Sequence, residues 1–155
     1  MIEKETSAFV GERAVVEARG VNGGYLQAYT SEKTADGQWV AHGVKGLLVQ
    51  ASSREDVFNV TASGGAGIWA GVAGAVTVNI INSRTTAYVD DAADINADLS
   101  AAGSAQSVHI AAVNNVQAKS ITGSVGGAFV GVSGAVDIGI IKNAVTAYTG
   151  WDTAL

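Results

Sequence analysis

The chain has 155 residues, of which 48% are hydrophobic and 15% charged, with twenty glycines and neither proline nor cysteine. It is too apolar to be disordered, and the lack of cysteine excludes a disulfide framework and thiol chemistry. The net charge of −5, without a Lys/Arg cluster, argues against a nucleic-acid partner. Because no apolar run reaches the roughly 18 residues of a membrane-spanning helix, we expect no membrane span. Residues 1–10 lack a signal-peptide layout, so either the protein is cytosolic or the sequence is a fragment without its leader and anchor.

Segments of alternating hydrophobicity predict strands along the whole chain. In chain order they are AVVEA at 14–18, GLLVQ at 46–50, VFNVT at 57–61, the long stretch 66–80, TTAYV at 85–89, SVHIAA at 107–112 and the stretch 128–140. In both long stretches one parity consists only of apolar residues and glycine. A period of two is typical of a strand with one buried face, so we expect this apolar parity to face a core.

Two copies of one sequence lie 60 residues apart. Residues 71–88 (GVAGAVTVNIINSRTTAY) align with residues 131–148 (GVSGAVDIGIIKNAVTAY) without a gap, and ten of the eighteen positions are identical. A shorter copy at residues 6–19 aligns with residues 85–98 at an offset of 79. The larger offset indicates an insertion between the first two copies. We therefore describe the chain as a single unit, 1–155, with an insertion at 20–46 and repeats at 47–106 and 107–155.

Many strands and a long fixed period predict an all-β fold of the solenoid type, in which each coil buries its apolar face against the next coil. With roughly 20 residues per coil, each 60-residue repeat would hold about three coils. The insertion would then be an extra coil, or a hairpin folded over the solenoid end to cover an exposed edge.

The repeat units resemble those of very large bacterial exoproteins of the filamentous adhesin (filamentous haemagglutinin-like) and leukotoxin type. The resemblance covers residues 47–155 and, more weakly, residues 6–19, with the Gly/Val-rich strands followed by an Asn/Thr-rich turn and the motif TAY. It implies a right-handed parallel β-helix, secretion to the bacterial cell surface, and a structural or adhesive role as a stalk or adhesion surface. The implied partner is a glycan or protein on a host or neighbouring cell. Because solenoid ends carry unpaired strand groups, we also expect self-association through the ends.

Three aromatic residues of the insertion are the candidate binding residues. Tyr25, Tyr29 and Trp39 lie on the segments GYLQAY and GQWVAHG, which are joined by polar residues. Exposed aromatic side chains supply contact area to a protein partner or to a sugar ring. The preferred interpretation, however, is structural: the segment is an extra coil, or a hairpin folded over the solenoid end, in which these residues need not bind a partner.

Groups suited to catalysis or metal binding are sparse. His42 and His109 are the only histidines, and the sequence identifies a partner for neither of them. The acidic stretch DDAADINAD supplies weak calcium candidates, Asp90, Asp91 and Asp94, but its spacing matches neither known calcium loop, so a solvated turn is the preferred interpretation.

We therefore predict no enzyme activity, no cofactor and no dedicated metal site. No carboxylate recurs at the 60-residue period, as a column of catalytic groups along consecutive coils would require. A β-helical carbohydrate-active enzyme or a carbohydrate-binding segment is the alternative. A membrane-active toxin fragment, motivated by the apolar glycine-rich strands, is a third hypothesis.

Overall fold

The computed structural model describes residues 1–21 and 23–155, and these residues form strands and turns. Within them there is no helix, and so none long and apolar enough to cross a membrane. The strands in chain order are β1 (Ile2–Val10), β2 (Val15–Val16), β3 (Leu26–Lys33), β4 (Trp39–Ala66), β5 (Ala70–Val89), β6 (Asp94–Ile95), β7 (Gln106–Gly127) and β8 (Val130–Thr149). The predicted all-β class is confirmed.

The sheets bring together strands that are far apart in sequence. One sheet has the order β1-β5-β8, a second has the order β3-β4-β7, and β2 pairs with β6. The β2 and β6 strands are parallel, with Val15 opposite Asp94 and Val16 opposite Ile95. Asp94 in turn forms a parallel bridge to Ala154. These pairings follow the two sequence offsets, 79 and 60 residues.

Copies that lie 60 residues apart are neighbours in one sheet. The rings of Tyr88 and Tyr148 stack with their centroids 5.1 Å apart, and the backbone N–H of Gly150 donates to the carbonyl of Val89 at 2.8 Å. This is the spacing of adjacent strands, whereas three coils per repeat would place equivalent residues three strand spacings, or roughly 14 Å, apart. The prediction of about three coils per 60-residue repeat is therefore wrong at this sheet, where one repeat corresponds to one strand spacing.

The chain turns in the same way after β1, β5 and β8. Arg13, Ala92 and Asp152 occupy equivalent positions and have φ values of 56°, 55° and 54°. Backbone hydrogen bonds join one turn to the next, from the N–H of Arg13 to Asp91 and from the N–H of Ala92 to Trp151. A positive φ is uncommon for residues other than glycine. Its recurrence at three aligned positions shows that the copies are structural equivalents.

Contacts divide the chain into two compact units, each built from three segments. Unit 1 comprises residues 1–4, 54–83 and 115–143, and unit 2 comprises residues 5–53, 84–114 and 144–155. Each sequence repeat contributes to both units, because the long strands pass from one unit to the other.

Unit 2 contains an apolar core. Its centre is formed by Val49, Val89, Ala93 and Ile95, and six further apolar residues pack against them: Ala8, Val10, Val16, Leu47, Val108 and Ile110. The four central residues are at most 6% exposed. Six of these residues flank the turns after β1 and β5, and the other four lie in β4 and β7: Val49, Leu47, Val108 and Ile110. The core therefore joins two of the turns to the second sheet.

In unit 1, the apolar side chains of β5 that the sequence predicts to be buried are exposed. The even-numbered valines Val72, Val76 and Val78 of β5 are 79%, 67% and 52% exposed. The odd-numbered residues between them are buried: Gly71, Ala73, Ala75 and Thr77. The prediction that the apolar parity faces a core is wrong in this part of β5. It is also wrong for the second long stretch, because every residue of β8 is exposed on both faces.

Contacts between β4 and β5 explain this reversal. The Thr77 hydroxyl donates to the Thr61 hydroxyl at 2.7 Å, and the Ser83 hydroxyl donates to Glu55 at 3.2 Å. The two strands belong to different sheets, so these side chains face each other across the space between the sheets. Small and polar side chains allow this close approach, and the bulkier valines project to the outside.

The insertion contains an antiparallel hairpin formed by β3 and the start of β4. Leu26 lies opposite Val44 and Tyr29 lies opposite Ala41. The side-chain oxygen of Gln50 also accepts a hydrogen bond from the backbone N–H of Tyr29 at 2.6 Å. Because β3 is the outer strand of the order β3-β4-β7, it covers the edge of β4 in this region.

Candidate functional site

A cleft of about 580 Å³ opens in unit 2 where the insertion begins and ends. Its walls come from residues 17–21, 24–26 and 45–46. Its two sides are close together, since a Cβ atom at Gly20 would lie 3.4 Å from the backbone nitrogen of Gly46. Its volume lies in the range of small-molecule sites.

Tyr25 is the aromatic residue of the cleft, and its ring is held in place by two neighbours. The Nζ atom of Lys45 lies 4.8 Å from the ring centroid, an arrangement stabilised by the attraction of a cation for the face of the ring. A Cβ atom at Gly43 would lie only 3.0 Å from the Cδ1 atom of Tyr25. The ring therefore rests directly against the glycine backbone, yet the side chain stays 61% exposed.

The charged wall of the cleft is organised around Arg19. Its Nη2 atom lies 2.9 Å from Oδ2 of Asp98, and its Nε atom lies 3.6 Å from Oε2 of Glu17. Hydrogen bonds from Ser100, and less strongly the charge of Arg19, hold the pKa of Asp98 below its ordinary value. The cleft thus combines a partly exposed aromatic ring with fixed positive and negative groups, which suits a ligand rich in hydroxyl groups.

The other two predicted binding residues lie outside this cleft. Tyr29 is half-buried in β3, with its N–H bonded to Gln50. Trp39 is also half-buried, and the Nζ atom of Lys33 lies 4.5 Å from its ring centroid. The antiparallel register places Lys33 opposite Trp39, well along the hairpin from Tyr25. Only Tyr25 of the three candidates lines the cleft.

Phe9, Tyr88 and Tyr148 form a stack of three aromatic rings, the aromatic ladder, which is not among the predicted site residues. The Phe9 and Tyr88 rings stack with centroids 5.3 Å apart, and Tyr88 stacks in turn on Tyr148. Phe9 is 59% and Tyr148 is 45% exposed. The sequence alignment places these three residues in one column, and this is the signal from which the contact could be predicted.

The two histidines, for which the sequence identified no partner, contact each other. Their ring centroids lie 5.0 Å apart in an edge-on arrangement. His42 belongs to β4 and His109 to β7, which are adjacent in the second sheet. Burial, and then the charge of His42, lower the pKa of His109 below its ordinary value. Because their separation in sequence matches neither repeat offset, the alignment of the copies does not predict this contact.

The three calcium candidates take part in the turn after β5. The Asp90 carboxylate accepts a hydrogen bond from the backbone N–H of Asp91 at 2.9 Å. The Asp91 carboxylate accepts one from the backbone N–H of Trp151 at 2.8 Å. Asp94 supplies the backbone bridges described above. Across residues 1–21 and 23–155, no three His, Cys, Asp or Glu side chains form a group that could hold a metal ion.

No family model, curated protein or solved structure matches this chain. The resemblance to filamentous adhesins and leukotoxins is therefore an expectation from the sequence.

Proposed function

We propose that the chain is a structural module of a secreted, repetitive surface protein, folded as a right-handed parallel β-helix and serving as a stalk or adhesion surface at the bacterial cell surface. The observation that supports this proposal is the stacking of three equivalent copies, seen in the ladder of Phe9, Tyr88 and Tyr148. In a repeat protein of this kind each unit is stabilised mainly by its neighbours.

Stacking of this kind makes length a simple function of the number of copies. The same ring contacts, hydrogen bonds and turn conformation occur at the offsets of 79 and 60 residues. An added copy can therefore form the contacts that the existing copies form. Such an array provides reach and a regular surface, which are the properties required of a stalk.

Lengthening the chain tests this proposal. Four extra copies of residues 89–148, inserted after Tyr148, should extend the particle by about 19 Å, because adjacent strands lie about 4.8 Å apart. The free energy of unfolding should rise with each added copy, since every copy adds an interface. Small-angle X-ray scattering measures the length, and chemical denaturation measures the stability.

The matched control carries four 60-residue inserts of the same composition in scrambled order. These inserts should add mass without the regular extension. If the repeated and scrambled inserts change length and stability alike, the copies do not stack and the proposed structural role is wrong.

A carbohydrate-binding segment is the second candidate function, and the cleft around Tyr25 favours it. Sugar rings bind through aromatic faces and through hydrogen bonds to charged side chains, and Tyr25, Arg19 and Glu17 supply both kinds of group. Tyr25→Ala should weaken binding of a glycan, first identified on a glycan array, by about tenfold or more.

Tyr148→Ala serves as the control, because Tyr148 is a partly exposed tyrosine that does not line the cleft. Gly43→Ala should also weaken binding, since the new methyl group would displace the Tyr25 ring. Isothermal titration calorimetry compares the three variants. Equal affinities for the wild type and Tyr25→Ala would exclude this cleft as the glycan site.

A further inference from the structure

The strand β8 has an uncovered edge within residues 1–21 and 23–155. It is the outer strand in the order β1-β5-β8, and its residues are exposed on both faces. The strand β5 has a neighbour on each side and buries alternate residues. Ile141 of β8 is 51% exposed, whereas its equivalent in β5, Ile81, is 1% exposed. The backbone groups of such an outer strand can pair with another chain.

The hydrogen bonds between the existing layers define how a further layer would pair. At the turn after β8, the backbone N–H of Gly150 donates to the carbonyl of Val89 at 2.8 Å. Continued by one layer, this pattern pairs the N–H of Gly11 in a second copy with the carbonyl of Thr149. The offsets of 79 and 60 residues together place each residue of β1 opposite the residue 139 positions later in β8 of the neighbouring copy.

The charges of β1 and β8 are complementary in this register. Lys142 lies opposite Glu3, and both belong to unit 1; Asp152 lies opposite Arg13, and both belong to unit 2. The Nη2 atom of Arg13 also lies 2.7 Å from Oε1 of Glu12 in its own chain. No two like charges face each other elsewhere in the register. Opposite charges on adjacent strands stabilise their pairing, so the charges favour a second copy of the chain as the partner.

The aromatic ladder continues across the same contact. Tyr88 stacks on two rings, whereas Phe9 and Tyr148 each stack on one. Phe9 is 59% and Tyr148 is 45% exposed. In the register given above, Tyr148 of one copy meets Phe9 of the next copy. Ring stacking of this kind adds to the stabilisation that comes from burying the rings.

We propose that copies of this chain associate head to tail, with β8 of one copy paired in parallel with β1 of a second copy. Because the two surfaces differ, each added copy presents a further β8, and the association is open-ended. The proposal rests on the stacked copies that also support the stalk function. The two can fail separately, because a chain lengthened by inserted copies can extend while the original chain stays monomeric.

Sedimentation of the intact chain at increasing concentration tests the proposal. The average mass should rise steadily past that of a dimer, as expected for an open-ended contact. Lys142→Glu should weaken the association by about tenfold or more, because like charges then lie opposite each other. The double variant Lys142→Glu, Glu3→Lys should recover the association, since the opposite charges are restored in exchanged positions.

Arg84→Glu is the matched control. It makes the same change in net charge, but Arg84 lies in β5, the middle strand of the sheet. Its association should equal that of the wild type. Circular dichroism checks that each variant is folded.

Disulfide formation tests the register, because the chain contains no cysteine of its own. Ala144→Cys mixed with Glu5→Cys should give a cross-linked dimer under oxidation, since the two positions lie opposite each other. A disulfide requires Cα atoms about 4.4–6.8 Å apart, which paired strands provide. Either variant alone should give no cross-linked dimer.

Several results would overturn the proposal. One is a monomer at every concentration, and another is equal weakening of the association by Lys142→Glu and Arg84→Glu. Cross-linking of Ala144→Cys with itself would instead identify pairing between two β8 strands. None of these results contradicts the stalk function, which the lengthened chain tests.

Discussion

Replacing Ile95 by alanine lowers the free energy of unfolding by about 2–5 kcal/mol, the range for removing a large buried aliphatic side chain. Ile95 is 1% exposed and packs with Val49, Val89 and Ala93 at the centre of unit 2. Removing three carbon atoms leaves a cavity that the paired strands cannot fill, because β6 is fixed by its parallel pairing with β2. Urea denaturation followed by circular dichroism measures the loss.

Ile68→Ala is the control for this prediction, since it makes the same chemical change at a position that is 86% exposed. Its effect should stay within about 0.5 kcal/mol. Comparable destabilisation by the two variants would contradict the assignment of the core to the cluster around Ile95.

Replacing Gly46 by alanine destabilises the protein by about 3 kcal/mol, because backbone strain and a steric clash act together. Gly46 has a φ of 111°, a conformation that residues with a side chain rarely adopt. A Cβ atom there would collide with the carbonyl oxygen of Ser107 and lie 3.1 Å from that of Ala18. Both obstacles are backbone atoms, so the strands themselves would have to move.

Gly74→Ala is the control for Gly46→Ala, because no heavy atom lies within 4 Å of the Cβ position at Gly74. This variant should be neutral or slightly stabilising, since alanine restricts the unfolded chain more than glycine does. Thermal unfolding compares the two variants. If Gly46→Ala is as stable as Gly74→Ala, the backbone at the base of the hairpin is not constrained as described.

The strands could be predicted from the sequence because alternation is a local property. Residues 57–61, 85–89 and 107–112 all lie within strands. The lengths of the strands could not be predicted from this local alternation. The structure has a single strand, β4, from Trp39 to Ala66, where the sequence suggested separate short segments. A coil of roughly 20 residues assumes short strands. Because the strands are much longer, the predicted number of coils per repeat is too high.

Which face of a strand is buried depends on what lies opposite, and the sequence of one strand does not contain that information. Because apolar side chains are usually buried, the sequence predicts that the valine face of β5 lies against a core. The opposing strand instead presents small and polar side chains, such as Thr61, with which Thr77 forms a hydrogen bond. Prediction of the buried face required knowing that β4 and β5 face each other.

For the candidate site, the sequence suggested Tyr25, Tyr29 and Trp39 together, and it did not indicate which of them lines the cleft or what surrounds it. The contacts of Tyr25 with Lys45 and Gly43 depend on the return of the hairpin to its starting point. The contact between His42 and His109 depends on the order of strands in the second sheet. Such contacts follow from topology, which a repeat alignment reveals only for residues in equivalent positions.

The aromatic ladder also bears on how such a chain can evolve. Tyr88 stacks on two rings, whereas Phe9 and Tyr148 each stack on one. Replacing Tyr88 therefore removes two ring contacts, one to each neighbouring copy. This favours coordinated substitution of the three residues. Duplication of a whole copy, in contrast, supplies the side chains and backbone groups that already pair between copies. The chain can therefore lengthen during evolution without a new kind of interface.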